Sequence, residues 1–416
     1  MAIGALHHHR TLSTSPARGP GEGERERKSH YLFALQQYGT ALGQLRTIAG
    51  QELQSEPRLR HALIAALLTT CFETYIGDQA GAIAQAKVGI DLLLRWTKQK
   101  DPANDSLDEW SRIRRVAARS PYLDEGLLSA FQRLDYHVLL CRGAEDGRCH
   151  PQSYPSAHQP FTSILEACDF WDLVMRRLVF FSSVGPVSQK PIPGKNENTT
   201  ISRTKGEVYP HPMELEQQRF KIASEQFFRY FDPIFQDSRQ RPGTKEYMLA
   251  NLVMIRALNC RSNLTRKPPE SEMYTNVFLQ DYMLMIDLAR DLIDNVNKTP
   301  KKAIFNFEIS LGISLFHIAS ACRDPKVRRS AISLLTQFPN PVAWYDTSVA
   351  AKIVTWIVQE EEKGMVNGHV PEIARIKLHR HVTAPHKQWA NLYVSKIVWI
   401  DGNATREMLP PVQIPL

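Results

Sequence analysis

Apolar residues along the chain recur mostly at intervals of three and four, the spacing of amphipathic helices. In SHYLFALQQYGTALGQLRTIAG, Leu32, Leu35, Tyr38, Leu42 and Leu45 line one face, with Ser29 placed as a cap. PRLRHALIAALLTTCFETYIG carries apolar pairs every four residues, from Leu63/Ile64 to Tyr75/Ile76. So wide a stripe suits a helix packed on two neighbours. GDQAGAIAQAKVGIDLLLRW is Ala-rich in its early turns, which permits close helix approach, and ends in Leu92 to Trp96. The same spacing predicts helices over Leu123–Leu140, FTSILEACDFWDLVMRRLVFFSS, Pro212–Phe235 and Thr244–Cys260. It continues through TNVFLQDYMLMIDLARDLIDNV, where Phe278, Tyr282, Met285, Leu288 and Ile293 share a core-facing side. KKAIFNFEISLGISLFHIASAC is apolar on most faces and predicts a central, buried helix. Within it, His317 reads as a hydrogen-bonded core residue.

The sharpest local pattern lies at residues 316–364: a helix, a break, a second helix, a turn and a third helix. Asp324 is placed to cap the second helix, with Pro325 at its first position, where a missing N–H costs nothing. Val327, Ala331, Leu334, Leu335 and Phe338 then form one face, while Lys326, Arg328 and Arg329 rim the break. Glu360, Glu361 and Glu362 occupy consecutive positions and point around the third helix, which reads as a solvated face.

Punctuation divides the chain. Residues 11–29 are polar, charged and rich in Gly and Pro, so a disordered linker is expected, and the first ten residues read as the end of a helix. Residues 101–122 read as a charged connector, 141–160 as a loop, and 183–211 as a flexible insertion. Pro268-Pro269 stops a helix. The tail, 363–416, is richer in Val, Ile, Tyr and Trp and predicts one or two strands, with MLPPVQIPL loose at its end. The fold expected is all-α, a large multi-helix bundle over 30–362 with a small β-like C-terminal element.

At 416 residues the chain buries a core without needing metal or disulfides. Its apolar runs, such as LLLRW, fall short of the roughly 20 residues of a membrane span. Met1 is followed by AIGALHHHR, which lacks the pattern of a secretory signal, so an intracellular protein is expected. The net charge of +8 suits nucleic acid or acidic partners, but the basic residues are spread along the chain. Six cysteines, at 71, 141, 149, 168, 260 and 322, include no CxxC pair and read as reduced, mostly buried thiols. Cys141, Cys149, His150 and His158 are candidate zinc ligands by residue type, and His7 to His9 a candidate metal site or tag. The Cys141–Cys149 spacing fits no common structural zinc site, and three histidines are short for a tag. No nucleophile elbow, phosphate loop, dinucleotide fingerprint or HExxH occurs. No enzyme is expected, and no catalytic, cofactor-binding, metal or DNA-binding residue is assigned.

Two separated stretches carry a family resemblance. CRDPKVRRSAISLL, followed by a Trp and IVQEEE, resembles the C-terminal part of the regulatory region of fungal binuclear zinc-cluster transcription factors. HYLFALQQYGTALGQL, LRHALIAALLTTCFET and GDQAGAIAQAKVGIDLL are similar to the start of that region, in order and spacing. The likeness covers about residues 1–10, 30–100 and 303–395. In that family a similar segment ends in a run like IGALH, with further helices and the zinc cluster upstream. The resemblance implies a nuclear transcription regulator whose partners are the transcription machinery or a second copy, with room for a small-molecule effector. It does not carry zinc or DNA binding to this chain, because no cysteine here fits the Cys-x₂-Cys-x₆-Cys pattern. A helical scaffold or ligand-sensing protein derived from the same family is the alternative.

Overall fold

The computed structural model describes residues 22–49, 55–76, 78–102, 109–142, 154–184, 212–264, 273–298, 310–338, 346–383, 388–400 and 403–416. Among these, twelve α-helices precede a small antiparallel sheet, the mostly α architecture that the periodicity predicts. The first five are α1 (Glu22–Ala49), α2 (Glu56–Ile76), α3 (Gln79–Lys100), α4 (Glu109–Ala117) and α5 (Glu125–Arg142). Next come α6 (Ile164–Val184), α7 (Pro212–Arg239), α8 (Lys245–Leu264) and α9 (Leu279–Lys298), the last entered through a 3₁₀ turn at Met273–Phe278. The final helices are α10 (Ser310–Ala321), α11 (Pro325–Gln337) and α12 (Thr347–Glu362). No helix among the described residues is long and apolar enough to cross a membrane.

The helices build two large apolar cores. The first gathers Leu59 and Leu63 of α2, Ile90 and Leu93 of α3, Ile113 of α4, and Phe131 of α5. Close helix approach there depends on Gly89 in α3. A Cβ at that position would lie 2.2 Å from Phe131 Cε1 and 3.1 Å from Ala66 Cβ. The small residues read in this helix therefore serve a three-helix junction. The second and larger core is built by α6 to α12 around Trp171, Phe227, Phe231, Tyr282, Ile318 and Leu335. Trp171 and Phe231 pack on Phe227 with ring centroids 4.7 and 5.0 Å away. Each fully buried aromatic or branched side chain contributes about 1.5–3 kcal/mol. The core-facing set of α9, from Phe278 to Ile293, is buried throughout. Helix α1 is held at its middle, where Tyr38 stacks on Phe72 with centroids 3.9 Å apart and donates a hydrogen bond to Glu73.

The sheet consists of β1 (Ile376–Thr383), β2 (Trp389–Ile400), β3 (Asn403–Met408) and β4 (Val412–Pro415). The long β2 is central. It pairs with β1 along one edge, from Ile376↔Lys396 to Thr383↔Ala390, with an irregularity between Leu378 and Arg380. On the other edge β3 pairs with Ser395 to Ile400, and β4 with Trp389 to Leu392. Strand alternation turns Ala390, Leu392 and Val394 inward onto Val349, Ile353 and Ile357 of α12. Between α12 and the sheet, Asn367 and Gly368 adopt φ of 50° and 79°, and the Val366↔His369 bridge closes around them. An Asn-Gly pair at positive φ is the favoured two-residue hairpin turn.

Several expectations change. The stretch read as a linker, 11–29, is helical from Glu22 onward, so Ser29 lies inside α1 instead of capping it. The connector 101–122 contains α4, whose buried face is Trp110, Ile113, Val116 and Ala117. That spacing was present in DEWSRIRRVAAR, obscured by the three arginines on the other faces of the helix. The tail forms four strands, not one or two, and the segment expected to be loose contains β4, with Ile414 buried. Residues 1–10 and most of the insertion, 185–211, lie outside the described residues.

Candidate functional site

The basic rim at the α10–α11 break was the first candidate. Asp324 caps α11 as the spacing predicts, accepting from the backbone N–H of Lys326 and Val327, both at 2.9 Å. Arg328, one turn further, points inward and is fully buried. Its Nε donates to the carbonyl of Ala319 at 2.9 Å, and its Nη2 to Glu361 Oε2 at 2.6 Å. The other oxygen of Glu361 accepts from the backbone N–H of Ile376 at 2.8 Å. One ion pair thus ties the end of α10 to α11, α12 and the first strand. Arg329 stays outside and pairs with Glu362 at 2.8 Å, and Arg323 donates to the carbonyls of Ser320 and Ala321 at the end of α10. The arginines of this cluster are engaged within the molecule, as a packing and capping role requires. The glutamate run is not uniformly solvated. Glu360 pairs with Lys363, but Glu361 is fully buried because its two oxygens have a guanidinium and an N–H to satisfy.

A second polar layer crosses the interface between the two cores. Trp110 donates to Asp135 Oδ2 at 2.8 Å, and Arg176 reaches the same oxygen at 2.8 Å, with its guanidinium carbon 5.7 Å from the indole centroid. Nearby, Arg114 of α4 binds Asp169 of α6 and Gln132 of α5, while Arg256 of α8 binds Asp172 of α6 at 2.5 Å. His137 lies buried beside this layer, and burial together with Arg256 and Arg133 pushes its pKa down to about 3. Asp169 is shifted upward, since burial outweighs the Arg114 pairing. These ion pairs and hydrogen bonds join α4, α5, α6 and α8.

Two Ser–His contacts occur among the described residues: His379 Nε2 to Ser395 Oγ at 2.8 Å in the sheet, and the buried His317 Nε2 to Ser262 Oγ at 3.0 Å in the helical core. The Ser262 hydroxyl has the carbonyl of Asn259 as an acceptor at 2.9 Å, and with its proton there it accepts from the Nε2–H tautomer of His317. That is the reverse of a nucleophile activated by a base. His317 is the hydrogen-bonded core residue its helix suggested, packed at an angle on Tyr282.

The described cysteines Cys71, Cys168, Cys260 and Cys322 form no disulfide, and burial pushes the thiols of Cys71 and Cys260 up to about 12. Such thiols are poor nucleophiles and poor ligands at neutral pH. His158 is exposed. The side chains of Cys141, Cys149, His150 and His7 to His9 fall outside the described residues. No group of three or more His, Cys, Asp or Glu placed to hold a metal occurs among those described.

A groove of about 520 Å³ is the feature that reading by segments missed. Along one wall runs a stripe of α12, with Ser348, Lys352, Thr355, Trp356 and Gln359, and Ile414 of β4 faces it. The spacing of that stripe was legible as a helix face. Its partner was not, because β4 is folded back from the far end of the tail.

No family model, no curated protein and no solved structure matches this chain.

Proposed function

We propose that this chain is the helical regulatory region of a nuclear transcription regulator of the fungal zinc-cluster type. It acts through contacts with other proteins and without a zinc cluster or direct DNA contact of its own. The observation that carries the reading is the pair of resembling stretches, near residues 30–100 and around CRDPKVRRSAISLL, in the family's order. Their helical character and the α10–α12 arrangement are compatible with it. The intramolecular engagement of Arg323, Arg328 and Arg329 supports regulation without DNA contact, since three cations of the most basic short motif already have protein partners.

The test joins the chain to an unrelated DNA-binding module and measures a reporter. The expected result is a change in transcription that follows the tethered chain, with no sequence-specific DNA binding by the chain alone. A specific nanomolar footprint at physiological salt would overturn the reading. The groove beside α12 favours a second reading, a ligand-sensing helical protein outside transcription, for which deletion leaves transcript levels unchanged and the protein resides in the cytoplasm.

A further inference from the structure

The groove between α12 and β4 has a consistent chemistry. Its volume, about 520 Å³, falls within the range of small-molecule sites. Along α12, the eleven steps from Ser348 to Gln359 span about 16 Å. Ala351, nearly buried, keeps the floor low, and Ile414 and Trp356 supply an apolar channel. The hydroxyls at the rim are already bonded to their own helices: Thr355 donates to Ala351 at 2.7 Å and Thr336 to Ile332 at 3.0 Å. Lys352 is the single formal charge among the side chains that line the groove. The positions three and four residues from it on α12 are Ser348, Val349, Thr355 and Trp356, none a carboxylate. Among the described residues, Lys352 makes no ion pair.

An apolar channel with one available cation at its rim matches a ligand with a hydrocarbon body and a single anionic head. Addition of a peptide strand to β4 fits less well, since Pro415 has no N–H to offer an incoming chain. We propose that this groove binds a small amphipathic carboxylate, its apolar body between Trp356 and Ile414 and its carboxylate at Lys352. The inference is independent of the transcriptional reading, because it concerns binding by the purified chain.

The probe is octanoate, compared with 1-octanol, titrated into the full chain by calorimetry and followed by tryptophan fluorescence, with Trp356→Phe assigning the optical signal. Saturable uptake of one octanoate is expected. Lys352→Met should weaken octanoate about two- to fivefold, the range for an exposed ion pair, and leave octanol unchanged. Thr355→Phe fills the groove at a half-exposed position and should abolish uptake of both while preserving the thermal melt. Three results overturn the proposal: no saturable uptake, uptake indifferent to Thr355→Phe, or equal effects of Lys352→Met on octanoate and octanol. A dimer that Thr355→Phe converts to monomer, with no octanoate uptake, would also overturn it and assign the groove to a second copy.

Discussion

Arg328 Nη2 lies 2.6 Å from Glu361 Oε2, and both side chains are sealed from solvent. A buried pair of this kind is expensive to desolvate, and its stability depends on each partner being present. Here the pair has further obligations: Nε holds the Ala319 carbonyl, and Glu361 holds the N–H that begins β1. Arg328→Met alone leaves a buried carboxylate and should cost about 3–5 kcal/mol. Combining it with Glu361→Leu should recover part of that loss, leaving the Ile376 N–H and the Ala319 carbonyl without these partners, at about 1–3 kcal/mol each. Urea denaturation of the two single variants and the double measures this. A double variant less stable than both singles would show that the pair contributes more than mutual neutralisation.

Gly89 and Gly39 make an opposing pair of expectations. Both lie inside helices, where alanine is intrinsically favoured by about 1 kcal/mol. At Gly39 of α1 nothing lies within 4 Å of an added Cβ, so Gly39→Ala should raise stability by up to that amount. At Gly89 the methyl meets the Phe131 ring at 2.2 Å, and overpacking should outweigh propensity, for a net loss of about 1–3 kcal/mol. Thermal melting of both variants gives the two signs.

His137 should make the fold sensitive to acid. Its pKa is near 6.5 when unfolded and about 3 when folded, with Arg256 and Arg133 opposing its charge and Asp172 favouring it. Below pH 6.5 the unfolded chain binds a proton that the folded protein does not. Stability from this group is therefore present above 6.5 and falls as pH drops toward 3. Between pH 7 and pH 5 the contribution lost is about 2 kcal/mol. His137→Gln removes the titration, so denaturation at the two pH values should show wild type losing about 2 kcal/mol more than the variant.

The Asp324 cap offers a smaller, local measurement. Asp324→Ala removes the acceptor for the N–H groups of Lys326 and Val327 and should cost about 1 kcal/mol. Asp324→Ser should restore most of it. Equal losses for alanine and serine would assign the role to charge, not capping.

Features governed by short-range physics were legible along the chain. The 3.6-residue period placed most helices, Asp324 and Pro325 set the start of α11, and the identity of Phe278, Tyr282, Met285, Leu288 and Ile293 as core was readable from spacing alone. These features need no knowledge of distant partners, because a helix face and its cap are written within a dozen residues. Other features depend on distant partners. Arg328 and Glu361 look solvated in their own segments and become buried only because α12 lies across α11 and β1 closes over them. The strand at Val412–Pro415 has too few residues to declare itself and forms because β2 presents an edge for it. The groove beside Lys352 exists only where that strand returns to α12, 62 residues along the chain from Lys352 to Ile414. Long-range pairing follows from which apolar faces are left to cover each other, and no local pattern records that choice.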